Sequence, residues 1–422
     1  MFNELITRDR AVNWHPYSQM KTSQHIPILS GKGTRLYDAN GNSYIDAVSS
    51  WWVTLHGHSH PYIAQKVFEQ LQRLEQVIFA GFTHEPAIEL SERLLALLPP
   101  NQRKMFYSDN GSTAVEVALK MCIQYAYQQG KKKSKILAFK NGYHGDTFGA
   151  MSVSERGLWT APFQDLLFEV IFIDAPHSSN LEEAFKTIDL HAEDVACFIY
   201  EPLVQGAGGM LMHQAADLSA LMSYCKSKGI LLIQDEVFVG FGRTGTLFAA
   251  NQLTESPDIM CFSKGLTGGT MPMGITSCTE ELYEAFYSDE KMKAFFHGHS
   301  FTASPIACAA SLASLDLLLQ QDTLEAIKRI VRLHQDFTAE LRTFDVVQNV
   351  RQCGTILAFH WNIGETSYFN HIQERLYNAF LAEGVILRPL GNTVYIVPPY
   401  CISEHELLEV YRAIKKVANN MC

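Results

Sequence analysis

The sequence predicts an α/β protein organised around a mostly parallel, doubly wound sheet. Between about residues 134 and 279, short apolar runs alternate with helical patterns. The runs are apolar almost throughout, as strands covered on both faces are. With 422 residues, 47% of them hydrophobic, the chain is long enough for a large core and a smaller second unit.

In order, the runs are SKILAFK, FEVIFIDAP, VACFIYEPL, GILLIQDEV, DIMCFSK and GITSCT. Between the third and fourth, QAADLSALMSYCKSKG sets Leu218, Leu221, Met222 and Cys225 at helical spacing and stops at Gly229, a C-terminal cap. The ends differ from this centre. Residues 1–50 are rich in turn formers, with a hairpin signal in DANG at Asp38 to Gly41. Residues 322–343 read as a long amphipathic helix through Leu324, Ile327, Val331 and Leu341. A last helix starts at Ser403, with a capping box to Glu406, and lines up Leu407, Tyr411 and Ile414. This pattern predicts a large domain over 51–315 and a smaller α/β domain built from 1–50 and 316–422.

Charge narrows the partners. There are 34 basic and 44 acidic residues, a net charge of −10, and no basic run longer than Lys131 to Lys133. Nucleic acid and anionic membrane are poor partners for such a surface. The opening MFNELITRDR has acids where a signal peptide needs a basic end and an apolar stretch, and no later segment is apolar for long enough to span a bilayer. A cytoplasmic protein is expected. The nine cysteines form no C-x-x-C pair and several lie in apolar runs, which predicts reduced, structural thiols.

In open α/β sheets ligands bind beyond the carboxyl ends of the strands. The residues just after the apolar runs are Tyr143 and His144, Glu201, Asp235 and Glu236, and Lys264. A buried ion pair is the plain alternative for an acid and a lysine placed in this way. A lysine desolvated beside a core strand also loses proton affinity and becomes a nucleophile toward carbonyls. Pyridoxal phosphate is such a carbonyl; its ring nitrogen needs a carboxylate, which Asp235 supplies, and its phosphate needs backbone donors. Those donors lie in SDNGSTAVEVALK, where Gly111, Ser112 and Thr113 open a helix with Val115, Ala118, Leu119 and Cys122 on its apolar side. Taken alone that stretch is a capped helix, with Thr113 and Glu116 as its capping box. Tyr143 offers an aromatic face to a flat ring, although a tyrosine there also serves as packing. Gly265, Gly268 and Gly269 after the lysine are expected to let backbone pass close to the cofactor.

Two further motifs compete. GFGRTG, Gly240 to Gly245, matches a dinucleotide-binding pattern, but it stands several residues beyond the strand end and leads into no long helix. LHGHSHP sets His56, His58 and His60 at alternate positions, the basis for a rival metal-dependent hydrolase; Gly57, Ser59 and Pro61 mark it instead as a turn before a helix from Tyr62, with Ile63, Val67 and Leu74 inside. No metal is expected.

Taken together, GNSYIDAVSSWWVTLHGHSHP, YSDNGSTAVEVALK, YHGDTFGAMSVS, DEVFVGFGRTG, FSKGLTGG and HGHSFTASPIACAA resemble the class III aminotransferases, a branch of the fold type I pyridoxal phosphate enzymes, over nearly the whole chain. NWHPYSQM, SSWW, EPLVQGAGGM and LRPLGNTVYIVPPY resemble the branch of that class that serves biotin synthesis. The resemblance implies Lys264 as the Schiff-base lysine, Asp235 as the pyridinium partner and Tyr143 as the stacking residue. It further implies that Gly111 and Ser112 hold the phosphate, together with Ser300 from the other subunit of a homodimer whose active site lies at the subunit interface. Tyr17, Trp51, Tyr143 and Gly298 would shape the substrate pocket, with Arg388 and Tyr395 toward the substrate tail. A surface salt bridge is the alternative for Arg388, but its setting, VILRPLGN, is apolar.

The implied reaction is amination of 8-amino-7-oxononanoate to 7,8-diaminononanoate with S-adenosylmethionine as donor, or with lysine as in some relatives. Ornithine, 4-aminobutyrate or another ω-amine is the near alternative, against which the paired Trp51 and Trp52 and the GAGGM stretch argue. Two positions depart from the branch: His299 and Ser300 follow Gly298 where a Pro and a Thr are common, and Phe238 stands where an Ala is expected.

Overall fold

A computed structural model describes residues 1–362 and 372–420. Seven strands form its central sheet, in the spatial order 102–108, 274–279, 259–262, 231–235, 195–200, 135–139, 170–173. All run parallel except 274–279, which is antiparallel to both neighbours.

Alternation along the strands explains the double winding. Ile136, Ala138, Cys197, Ile199, Ile233 and Cys261 pack under the helix Gly111–Gln128, through Val115, Ala118, Leu119 and Cys122. The residues between them, Leu137, Phe139, Phe198, Tyr200 and Leu232, point the other way. They meet the helices Leu181–His191 and Ala215–Ser227, whose Leu218, Leu221, Met222 and Cys225 are fully buried as the spacing predicts. Each strand therefore needs apolar residues on both faces, which is what its near-continuous apolar run supplies.

The termini build two further sheets. Strands Ile28–Lys32, Arg35–Asp38 and Ser43–Asp46 form an antiparallel meander, with the DANG turn between the last two, and Val385–Ile386 adds in parallel. Asp38 makes that turn by accepting the backbone N–H groups of Asn40 and Asn42 at 2.9 and 2.8 Å. The other sheet joins 347–353, 356–361 and 393–396. Helices Gln321–Leu341 and Glu404–Asn420 stand where the sequence places them, and Ser403 and Glu406 form the expected capping box. One hydrophobic core runs from Ile45 and Trp52 through Phe241 and Phe262 to Tyr395 and Ile414.

Three elements differ from expectation. Gln102–Ser108 is a strand; it lies at the sheet edge, so its Arg103 and Lys104 are solvated, and no apolar run announces it. Phe2–Val12 is a helix that buries none of its residues, hence the missing periodic signal. The cap of Gly111–Gln128 is Asn110, whose Oδ1 accepts from Thr113 N at 2.9 Å while Thr113 Oγ1 accepts from Asn110 N at 3.1 Å. Glu116 is not part of that box; it bonds instead to Thr147 Oγ1 and to the amide of Gly149 at 2.7 Å. All eight cysteines among the described residues are free and six are buried.

Candidate active site

Four neighbouring parallel strands end in a row of functional groups. In sheet order these are Lys264 beyond 259–262, Asp235 at the end of 231–235, Glu201 beyond 195–200, and Tyr143 with His144 beyond 135–139. Asp235 sits opposite Cys261 in the ladder, three residues before the lysine.

Asp235 is buried and fixed from two sides. Its Oδ1 accepts the N–H of Val237 at 2.9 Å, and Oδ2 lies 2.7 Å from His144 Nδ1. Glu201 accepts the amides of Tyr143 at 2.9 Å and Gly206 at 2.8 Å, which ties two loops together below the site; burial pushes its carboxyl up to about 7. Lys264 Nζ lies 4.9 Å from the centroid of the Trp52 ring and 5.9 Å from that of Phe238. Desolvation lowers its pKa below the ordinary lysine value, against the opposing pull of Asp235 and Glu201. Its backbone has φ +46°, in the left-handed region that costs a side-chain-bearing residue free energy.

A second group comes from distant segments. Trp51 stands 5.5 Å from Tyr17, edge to face, and the Arg388 guanidinium lies 4.5 Å over the Trp51 ring. The Tyr17 hydroxyl donates to Asp146 and lies 3.4 Å from the Tyr143 hydroxyl. Burial, then Tyr17, raises the Tyr143 pKa and keeps that phenol protonated. Trp52 extends the first group, 4.4 Å from Phe238 and 6.0 Å from Tyr395. The Ser49–Trp52 turn that presents both tryptophans carries positive φ at Ser49, Ser50 and Trp52 and is held by Asp46, which accepts Ser50 N at 2.6 Å.

The structure thus gathers Lys264, Asp235 and Tyr395 in one group through Trp52, and Tyr17, Trp51, Tyr143 and Arg388 in a second, joined through Glu201, which accepts the Tyr143 amide and acts on Lys264. Gly111 and Ser112 begin the helix after strand 102–108, where the first amides have no carbonyl to donate to within the helix. Gly298 and Ser300 do not join the Lys264 group within one chain: both are exposed, and Ser300 offers its carbonyl to Gln76 Nε2 at 2.6 Å. His144, Asp146 and Trp52 carry site contacts that the sequence reading gave no role. His144 was visible at its strand end, but its bond to Asp235 spans 91 positions and has no local signal.

The glycines after Lys264 make room for a protein neighbour. A side chain on Gly265 would meet Leu55 at 3.1 Å and one on Gly269 would meet the Val53 backbone at 2.9 Å, so these positions admit the 53–56 segment. The two competing motifs dissolve. GFGRTG is a turn whose Arg243 is buried and donates to the Pro398 carbonyl at 2.7 Å. His56 faces Ser314 at 3.1 Å and His58 faces Asp46 at 2.8 Å, so those imidazoles are turned to different partners.

A lysine, an acid and an open helix N-terminus at the strand ends of a doubly wound sheet define a pyridoxal phosphate site of the fold type I kind. Residues 17–418 match the family described as Aminotransferase class-III, and the chain belongs to it. It is 45% identical to the adenosylmethionine-8-amino-7-oxononanoate aminotransferase of Synechococcus elongatus over 412 residues, 95% of this chain and 97% of that one. The crystal structure of the Methanocaldococcus jannaschii protein of the same name superposes with TM-score 0.94 at 34% identity, covering 98% of this chain and 99% of that one. A PLP-bound amine transaminase from an uncultivated Pseudomonas species superposes with TM-score 0.91 at 28% identity, covering 97% of this chain and 98% of that one.

The residues present fit the cofactor of this family, pyridoxal phosphate. Asp235 is buried at the end of its strand beside Lys264, and the backbone at Gly111 passes so close to Val237 that an added Cβ would stand 2.8 Å from its Cγ1. That close approach sets the helix N-terminus against the strand ends, where a phosphate and the ring nitrogen of one ligand can be met together. The protein is a pyridoxal phosphate-dependent aminotransferase.

Proposed function

We propose that the chain aminates 8-amino-7-oxononanoate to 7,8-diaminononanoate in biotin synthesis, with S-adenosylmethionine as amino donor. The observation that carries this reading is the Arg388 guanidinium laid over Trp51 at 4.5 Å, with Tyr17 on the same ring. An aromatic wall ending in a planar cation fits a long aliphatic chain that ends in a carboxylate. The shared name of relatives up to 45% identical over 95% of the chain supports it.

When bound, pyridoxal phosphate supplies a carbonyl for amine exchange and a ring that takes up the electron pair left when the substrate loses a proton. Lys264 Nζ, with its proton affinity reduced by burial, takes that proton from the amine-bearing carbon of the donor and returns a proton in the second half of the cycle. Asp235, aligned by His144, would hold the ring nitrogen with a carboxylate oxygen. Gly111 and Ser112 would hold the phosphate with their amides. Tyr143 would offer its aromatic face to the ring, with Tyr17 beside it. Trp52 and Phe238 exclude water from the lysine. Arg388 receives the terminal carboxylate, beside Tyr395.

The working unit of this reading is a homodimer, with Gly298 and Ser300 presented to the partner's site. Large apolar side chains left exposed on the single chain, among them Phe68, Ile78, Phe82 and Phe301, support it.

The test is single-turnover amination of 8-amino-7-oxononanoate by the purified enzyme, with S-adenosylmethionine and lysine offered separately. Formation of 7,8-diaminononanoate with the first donor is expected. Product with lysine alone overturns the donor, and no product with either overturns the substrate.

A further inference from the structure

Outside the site, one cluster has the composition of a metal centre. Asp9, at the end of the helix Phe2–Val12, and His15 and His25, on the following segment, bring one carboxylate oxygen and two imidazole nitrogens within 4.8 Å of one another. His15 Nε2 lies 2.8 Å from Asp9 Oδ2, and His25 Nδ1 lies 3.3 Å from the same oxygen. The two rings stack with centroids 3.8 Å apart.

Asp9 lies within ion-pair distance of both imidazoles, but only His15 completes a hydrogen bond to it. His25 Nδ1 is shielded from solvent and makes no hydrogen bond in that geometry, although it faces the carboxylate. Two imidazoles stacked face to face around one carboxylate also repel each other once both are protonated. Two of the three groups have partners behind them placed as outer partners of metal ligands are. Asn13 Nδ2 donates to Asp9 Oδ1 at 2.9 Å, and Ser23 Oγ meets His25 Nε2 at 3.2 Å, which leaves Nδ1 for the centre of the cluster.

We propose that Asp9, His15 and His25 bind one divalent transition-metal ion of the zinc class, with a fourth position open to water. Two imidazoles and a carboxylate with an open position are a zinc-type set. Closure needs the stacked rings to splay apart, a rotation that these partly exposed side chains can make. The ion ties the N-terminal helix to the segment that carries Tyr17 into the pocket.

The experiment is calorimetric titration of ZnCl2 into the tag-free, chelator-treated holoenzyme, alongside His25→Ala and His25→Cys. The visible absorbance of bound cofactor verifies that each variant is folded. One equivalent per chain is expected for the wild type, lost in His25→Ala and kept in His25→Cys, where a thiolate replaces the imidazole. Less than one equivalent in the wild type, or equal binding by all three proteins, overturns the proposal.

Discussion

At the residue scale, the chemistry concentrates on a side chain whose environment works against its usual charge. Lys264 is desolvated by Trp52 and Phe238 and is drawn back toward its proton by Asp235 and Glu201. Lys264→Ala should therefore lose turnover by at least on the order of 10²- to 10⁴-fold, the ordinary contribution of a positioned acid–base group. Borohydride should no longer fix the cofactor to the chain; normal turnover by this variant would refute the assignment. In the proposed reading Arg388 acts at the other end. Arg388→Ala should raise KM for the oxo acid while leaving the donor half-reaction near wild type, because the guanidinium meets only the acid's tail in this arrangement. Stopped-flow measurement of the two half-reactions separates these outcomes. Lys264 and Asp235 were legible in the sequence because each closes an apolar run with a charged residue. Tyr17, Trp51 and Arg388 were legible by resemblance alone, since Arg388 lies hundreds of residues from the other two and no spacing rule links the three. Asp146 and the pairing of His144 with Asp235 gave no signal, because such contacts exist only once the chain has folded.

At the element scale, the helix Gly111–Gln128 would, in the proposed reading, position the cofactor by its place as much as by its dipole. Its N-terminus is pressed against the strand ends where Gly111 meets Val237, and Asn110 caps it. Gly111→Ala would put a methyl group 2.8 Å from Val237 Cγ1, so helix or strand must yield. Overpacking of this kind costs roughly 1–3 kcal/mol. Weaker pyridoxal phosphate binding and a lower Tm are expected together; unchanged affinity by absorbance titration would show that the helix does not set the phosphate site. The sequence predicted this helix but misjudged its cap. Asn110, Thr113 and Glu116 all satisfy capping rules, and the choice depended on Thr147 and Gly149, far along the chain, taking the glutamate. The edge strand 102–108 was missed for a related reason: a strand with one solvated edge need not be apolar, so the pattern that announced the central strands did not apply to it.

At the scale of the whole molecule, the same burial that tunes the site leaves its mark on stability. Glu201 and Glu236 are pushed up to about 7 by burial. Between the ordinary carboxylate range and 7 the native chain keeps protons that the unfolded chain has released, so these groups make stability fall as pH rises and level off above 7. Three buried imidazoles oppose them. His56 and His334 are held at about 3 and His213 at about 4, so the unfolded chain gains protons below about 6.5 that the fold refuses, and stability falls as pH drops. Across pH 5 to 6.5 the two sets partly cancel. Glu236 is the carboxylate to remove, because it caps Ala249 and Ala250 and bonds Gln234 without touching Lys264 or the rings around it. Removing it leaves the imidazole slope less opposed. Glu236→Gln should therefore lose more stability than the wild type on acidification from pH 6.5 to 5, by up to about 2 kcal/mol at the usual 1.4 kcal/mol per pH unit for one proton. Thermal unfolding of both proteins at the two pH values measures this difference. Parallel pH dependence would mean that Glu236 is ionised throughout, with its three donors outweighing burial.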